Sequence, residues 1–333
     1  MSKMKKISII LPVYNGAATI TRTLDSIVKQ NVDEEIEVIV VNDCSTDNTQ
    51  QILEVYKTKI YPHLAIVNLP ENLRQGGARN AGVKLAKGKY IQFLDADDSL
   101  IDNSLEKLLK AIADNPDLDL LFFESAVFDI KNNTIKYSLT YPSNVTTTLS
   151  GEEYLSTQNV PWTPWMALYN KEFLLTNNIS FAEKVRFEDA DYVLKSVLLA
   201  HKVKYLPIQT VLYSENGSST TNIGDDGNKI YERMLSADRL SEIITKYKSQ
   251  YPKGTNVIKG HYRFKYHAIL LRNLWRLDYK SIMHILRTIP YRDTTCNDTL
   301  ISMAMNYPHI YASMSMIFGP ILRFILKVRN STH

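Results

Sequence analysis

Over the first 125 residues, contiguous apolar runs rich in β-branched residues alternate with amphipathic stretches. Ile7–Leu11, Ile36–Val41, Leu64–Asn68, Tyr90–Leu94 and Leu118–Phe123 have strand length and almost no polar alternation, the pattern of strands buried on both faces. Between them, Ile20, Leu24, Ile27 and Val28 recur at helical spacing. Ser45 and Thr46 stand as helix caps ahead of Ile52, Leu53 and Tyr56. Gly76–Ala86 reads as a helix of small residues, and Leu105–Ala113 as a further one. The expected class is α/β, a Rossmann-like mostly parallel sheet with helices on both faces. Such sheets bind ligands beyond the carboxyl ends of their strands. There the chain places Pro12-Val13-Tyr14-Asn15, Asn42-Asp43 and Asp95-Ala96-Asp97-Asp98.

The pattern changes after residue 125. Val127–Ile130 and Thr134–Tyr137 flank Asn132-Asn133 as a hairpin. Ser150-Gly151-Glu152-Glu153 matches a capping box opening a short helix. Pro161-Trp162-Thr163-Pro164-Trp165 is a rigid aromatic segment; its tryptophans suit either stacking on a flat ligand face or core packing. A helix over Glu188–Ala200 and a strand near Val203–Tyr213 follow. Gly217–Asn228 reads as a mobile loop or linker, and the remainder as helical. The expected division is an α/β domain over 1–220 and a helical C-terminal region over 221–333.

Composition adds one asymmetry. The 333 residues carry a net charge of +4, yet residues 231–333 hold 16 Lys/Arg against 6 Asp/Glu, leaving 23 against 29 elsewhere. A basic tail on an acidic body suits an anionic partner. Ile310–Arg329 is mostly apolar but interrupted by Gly319, Pro320 and Arg323, so it fits an interfacial segment better than a spanning helix. Tyr262, Phe264, Tyr266, Leu270, Leu271, Leu274 and Trp275, interleaved with Arg263, Lys265, Arg272 and Arg276, extend that character. Packing on the α/β domain and a homodimer contact are the rival readings. Two distant cysteines, Cys44 and Cys296, and no evident leader point to a reduced, cytoplasmic setting, with the tail at the inner face of a membrane. No nucleic-acid recognition module is visible. His63, His201 and His267 lack metal-ligand spacing.

The chemistry rests on the loops. A strand delivering Asp95 and Asp97 to its carboxyl end suits a hard divalent cation that keeps open positions for phosphate oxygens. The first loop lacks the Gly-x-Gly-x-x-Gly fingerprint, so NAD or FAD binding is not expected, and no P-loop motif is present.

Four segments together, Ile9-Ile10-Leu11-Pro12-Val13-Tyr14-Asn15, Val40-Val41-Asn42-Asp43-Cys44-Ser45-Thr46-Asp47-Asn48-Thr49, Asn72-Leu73-Arg74-Gln75-Gly76-Gly77-Ala78-Arg79-Asn80-Ala81-Gly82 and Phe93-Leu94-Asp95-Ala96-Asp97-Asp98, resemble the family 2 glycosyltransferases of bacterial surface-polysaccharide type. The resemblance covers residues 7 to about 215 and implies the GT-A fold, a UDP-sugar donor, a Mn²⁺ or Mg²⁺ ion and a saccharide acceptor, lipid-linked where the tail meets a membrane. It implies that Pro12, Val13, Tyr14, Asn15 and Asp43 hold the base and ribose, with Asp43 accepting from the uracil N3–H. Gly77, with Gly76, would give close backbone approach, and Arg79 a cation for the phosphates or for an acidic neighbour. Asp95, Ala96 and Asp97 would meet the ribose and the metal, with Asp97 and Asp95 as metal ligands and Asp98 turned away to cap the next segment. Phe187-Glu188-Asp189-Ala190-Asp191 resembles the family's Glu-Asp motif, which makes Asp189 the base for an inverting displacement and Glu188 its runner-up. The alternative for these acids is helix capping. A sugar nucleotidyltransferase and a catalytically silent nucleotide-sugar-binding or membrane scaffold are the rival functions.

Overall fold

A computed structural model of the chain describes residues 5–132, 134–140, 147–215, 227–272, 277–288, 304, 306–314 and 316. The chain divides into two compact units, Met1–Thr220 and Thr221–His333. The first is built on one mixed sheet. Strands β1 (Ile7–Val13), β2 (Ile36–Asn42), β3 (Ala65–Asn68) and β4 (Tyr90–Phe93) run parallel in the order β3-β2-β1-β4. Every residue of β1 and of β4 is buried, as their mostly apolar runs require, with Ser8 and Gln92 the polar residues among them.

The connecting helices are α1 (Ile20–Val28), α2 (Thr49–Lys59) and α3 (Arg74–Leu85). α1 buries Ile20, Leu24 and Ile27, the face its spacing predicts. α3 has no such stripe and packs through its small residues. A Cβ on Gly82 would stand 2.4 Å from Ile10 Cγ2, so the helix sits on β1 closer than any side chain permits. The caps expected at Ser45 and Thr46 are absent. α2 begins after Asn48 with no side-chain cap, while the Asn15 amide donates to Ser45 Oγ at 2.9 Å and the Thr46 amide to Asn15 Oδ1 at 2.8 Å. A partner 30 residues away wins over the local one.

The rest of the unit comprises β5 (Ser99–Leu100), α4 (Ser104–Asp114), β6 (Leu120–Asp129), β7 (Thr134–Leu139), α5 (Gly151–Thr157), a 3₁₀ turn (Pro164–Met166), β8 (Ala167–Asn170), α6 (Lys171–Thr176), α7 (Asp189–Leu199) and β9 (Val203–Ser214). The sheet continues as β4-β8-β6-β9-β5, with β7 paired to β6. β6 and β9 are parallel, whereas β8, β5 and β7 join antiparallel. The two runs Leu118–Phe123 and Val127–Ile130 merge into the single strand β6, which then turns into β7 as the hairpin signal predicts. The Ser150–Glu153 capping box forms. Trp165 is buried and stacks on Tyr213 at 5.8 Å with an interplanar angle of 2°, so it packs the core.

In the second unit α8 (Gly227–Tyr247) packs on α9 (Pro252–Arg272) and α10 (Tyr279–Thr288). Ile230, Met234, Ala237, Ile244, Ile258 and Tyr262 form its buried face. Gly227 and Asn228 open α8, and residues 216–226 of the expected linker lie outside the described residues. So do Cys296, residues 317–333 of the apolar-basic tail, and the side chains of residues 263–276, His267 among them. Cys44 is a free, exposed thiol. Among the described residues, no helix is long and apolar enough to cross a membrane.

Candidate active site

The loops after β1, β2 and β4 meet at the carboxyl edge of the parallel half-sheet. Pro12 and Val13 are buried as the end of β1, and Tyr14 stands exposed beyond them. The first two loops are zipped together. The Gly16 amide donates to Thr49 Oγ1 at 2.9 Å and the Ala17 amide to Asp47 Oδ2 at 3.2 Å, beside the Asn15 contacts. Asn15, Cys44 and Arg74 have φ of 52°, 61° and 61°. Three non-glycine residues in the left-handed region on three neighbouring loops mark strain held by the surroundings.

Asp43 is buried just past β2. Its amide donates to the Val13 carbonyl at 2.8 Å, and its Oδ1 accepts from the Leu73 amide at 2.7 Å. Burial raises the pKa of this carboxyl, and the amides of Leu73 and Arg74 partly offset the rise. Asp43 thus anchors the turn into α3. The glycines there meet the chain itself. A Cβ on Gly77 would stand 2.3 Å from Leu73 Cβ, and one on Gly76 2.3 Å from the Ala182 carbonyl oxygen.

The Asp95–Asp98 turn is held from α1. The Thr23 hydroxyl lies 3.0 Å from the Ala96 carbonyl and 2.7 Å from that of Asp98. Arg22 donates to the Asp97 carbonyl and, at 3.0 Å, to Ser214 Oγ. Asp98 does turn away, but to accept from the Ser214 amide of β9 at 2.8 Å in full burial. Burial, with Asp95 and Asp97 beside it, raises its pKa well above the carboxylate range. Arg22 and Thr23 escaped sequence reasoning, because they act on main-chain carbonyls and belong to no acid motif.

Arg79 joins the two acidic motifs. Its guanidinium, 1% exposed, bonds Asp95 Oδ1 at 2.9 Å through Nη2, and Asp189 Oδ1 at 2.8 Å and Glu188 Oε1 at 3.2 Å through Nη1. Of the two roles open to Arg79, its contacts are those of the acidic-neighbour role. Burial alone would lower its pKa, but Asp95, Asp189 and Glu188 outweigh that and raise it, so it stays charged. Glu188 is pushed up to about 7 by burial and by Asp189, against the pull of Arg79. Asp189 is raised by burial, with Arg79 opposing and Asp95 and Asp191 adding to the rise. Glu188 occupies the N-cap position of α7 without a side-chain cap bond. The acids still sit where the helix N-terminus favours negative charge.

No cluster of three or more acid, histidine or cysteine side chains among the described residues forms a ready metal cage. A cation such as Mg²⁺ or Mn²⁺ takes one or two carboxylates and completes its shell with water and substrate phosphates. Asp95 and Asp97 are the residues that would hold it.

Comparison with known proteins bears on the same edge. The model of the family described as Glycosyl transferase family 2 matches residues 8–174, which include the first three loops and stop short of Glu188 and Asp189. The uncharacterized glycosyltransferase YibD of Escherichia coli K12 is 26% identical over 275 residues, 81% of this chain and 79% of that protein. The poly(ribitol-phosphate) beta-N-acetylglucosaminyltransferase TarS of Staphylococcus aureus is 30% identical over 214 residues, 63% of this chain but only 36% of TarS. The crystal structure of TarS 1–349 in complex with UDP-GlcNAc superposes with a TM-score of 0.65 at 22% identity, covering 93% of this chain and 88% of that one. The mannosyltransferase PcManGT of Pyrobaculum calidifontis, in complex with GDP-Man and Mn²⁺, gives 0.54 at 17% identity, over 95% and 87%. Both structural likenesses concern the fold.

Proposed function

Since the chain belongs to glycosyl transferase family 2 and is a glycosyltransferase, we propose that it moves a sugar from a UDP-linked donor to a hydroxyl of a surface glycopolymer, with inversion and with a divalent cation. The observation that carries this reading is Arg79, whose one guanidinium binds Asp95 of the first acidic motif and Glu188 and Asp189 of the second. It makes one site of a donor-holding edge and a carboxylate suited to take a proton. UDP-GlcNAc in the TarS complex supports the donor class, and the TarS name supports a polyol-phosphate or saccharide acceptor.

In the step itself, Asp189 accepts the proton of the acceptor hydroxyl while the hydroxyl oxygen attacks the anomeric carbon. The bond from that carbon to the diphosphate oxygen breaks, and the nucleoside diphosphate leaves with the electron pair. A cation held by Asp95 and Asp97 would neutralise the departing diphosphate. A raised pKa makes Asp189 a stronger base than an unperturbed aspartate. Tyr14, Asn15 and Asp43 line the place for base and ribose, and the basic tail would meet anionic lipid bearing the acceptor.

The test is nucleotide release by the full chain with a panel of UDP- and GDP-sugars, with and without glycopolymer acceptor, in Mn²⁺, Mg²⁺ or EDTA. Acceptor-dependent UDP release that EDTA abolishes is expected. Full turnover in EDTA would refute the cation, and an Asp189→Asn variant as fast as the wild type would refute the base. Liposome binding unchanged by truncation after residue 300 would remove the tail from the membrane.

A further inference from the structure

The stretch between α6 and α7 carries Glu188 and Asp189 into the site without being a strand or helix itself. Its backbone is bent at Asn178, Lys184 and Phe187, with φ of 50°, 58° and 62°. A path through the left-handed region at three side-chain-bearing residues holds only where external bonds impose it. Asn80 on α3, the residue after Arg79, supplies such bonds. Its Oδ1 accepts from the Phe181 amide at 3.0 Å and its Nδ2 donates to the Phe181 carbonyl at 3.0 Å. One side-chain amide thereby pairs with both main-chain groups of one residue, as an adjacent strand would. Nδ2 also lies 2.9 Å from Glu183 Oε1. The Lys184 amide donates to the Leu73 carbonyl at 2.9 Å, and Gly76 leaves room for the Ala182 carbonyl. Phe181, so fixed, stacks on Tyr192 of α7 with centroids 3.7 Å apart and lies 5.1 Å from the Arg79 guanidinium carbon.

We propose that Asn80 is a positioning residue for transfer: through Phe181 it sets the segment that presents Asp189, and it does so without touching the donor. The inference rests on the reading of Asp189 as base. Neighbouring positions on α3 thus divide the work, with Arg79 holding the carboxylates by charge and Asn80 holding the backbone that bears them.

The experiment compares wild type, Asn80→Asp, Gly76→Ala and Asp189→Asn in the full chain, measuring kcat, donor KM, UDP affinity and Tm. Asn80→Asp keeps the shape but loses both donated bonds. Misplacing the base should lower kcat roughly 10- to 100-fold while donor KM and UDP affinity stay within roughly threefold. Gly76→Ala, one turn earlier on the same face of α3, presses a Cβ against the Ala182 carbonyl of the same segment and should give the same split, which decides the matter if Asn80→Asp does not fold. A kcat within about twofold of wild type in the folded variants, or UDP affinity falling in step with kcat, overturns the proposal. If Asp189→Asn retains wild-type turnover, the base assignment itself has failed, an outcome readable without either of the other variants.

Discussion

Replacing Arg79 by methionine removes the one charge that three carboxylates share while roughly keeping side-chain volume. The partners differ in how much they feel the loss. The Glu188 side chain is 5% exposed, Asp95 17% and Asp189 36%. Removing one partner of a buried ion pair costs about 3–5 kcal/mol, because the other charge is left without compensation. Glu188 and Asp95, both mostly buried, set this figure; water screens Asp189, which adds little. For a unit of the size of Met1–Thr220 each kcal/mol is roughly 2 °C, so Tm should fall by about 6–10 °C. The loss must depend on pH. Without Arg79 the folded-state pKa values of Glu188 and Asp189 rise further above their unfolded values. The deficit is then small near pH 5, where the acids bind protons in the fold, and grows as pH rises. Calorimetry of Arg79→Met between pH 5 and pH 8 reads both effects. Arg79→Lys should recover only part, since a single ammonium cannot reproduce the fork that reaches three carboxylates. A Tm drop under roughly 2 °C that is the same at both pH values would refute the electrostatic account.

Glu188→Gln should act in the opposite sense. A carboxyl whose pKa rises from 4.5 unfolded to about 7 folded loses stabilising effect as pH climbs through that interval. The variant should therefore gain on wild type between pH 5 and pH 8 in thermal unfolding, and a constant difference would contradict it. Thr23→Val removes the hydroxyl that meets two carbonyls of the Asp95–Asp98 turn. It should cost about 1–2 kcal/mol and raise the Mn²⁺ concentration for half-maximal turnover, and an unchanged metal titration would count against the turn's role. Gly82→Ala drives a Cβ into Ile10 and should lower stability by about 1–3 kcal/mol in urea unfolding, with no loss expected only if α3 can shift off β1.

The parallel half of the sheet was legible because its strands are contiguous β-branched runs, a signal carried by composition alone. β8 and β5 were not legible. Four residues, Ala167–Asn170, and two, Ser99–Leu100, are too short to carry a period, and their antiparallel pairing comes from where the chain returns. The acidic loops were found through motif and position. Their partners were not, since nothing local distinguishes an arginine that will meet phosphate from one that will meet Glu188. The same limit misplaced Ser45 and Thr46, whose cap chemistry is consumed by Asn15. Asn80 was visible as a motif letter only, because its bonds are to the main chain of Phe181.

The partners of Arg79 lie 16, 109 and 110 residues along the chain. On the ribosome, at about 5–20 residues per second, the first acid follows within seconds but the other two lag by about 5–20 s. Through that interval the nascent Gly-rich helix carries a cation that has no complete berth, and docking it onto β1 would bury that charge against Asp95 alone. The cluster around Arg79 therefore reaches its final form only once the ribosome has passed the start of α7, and premature termination before that point yields a chain whose buried arginine lacks two of its three counter-charges.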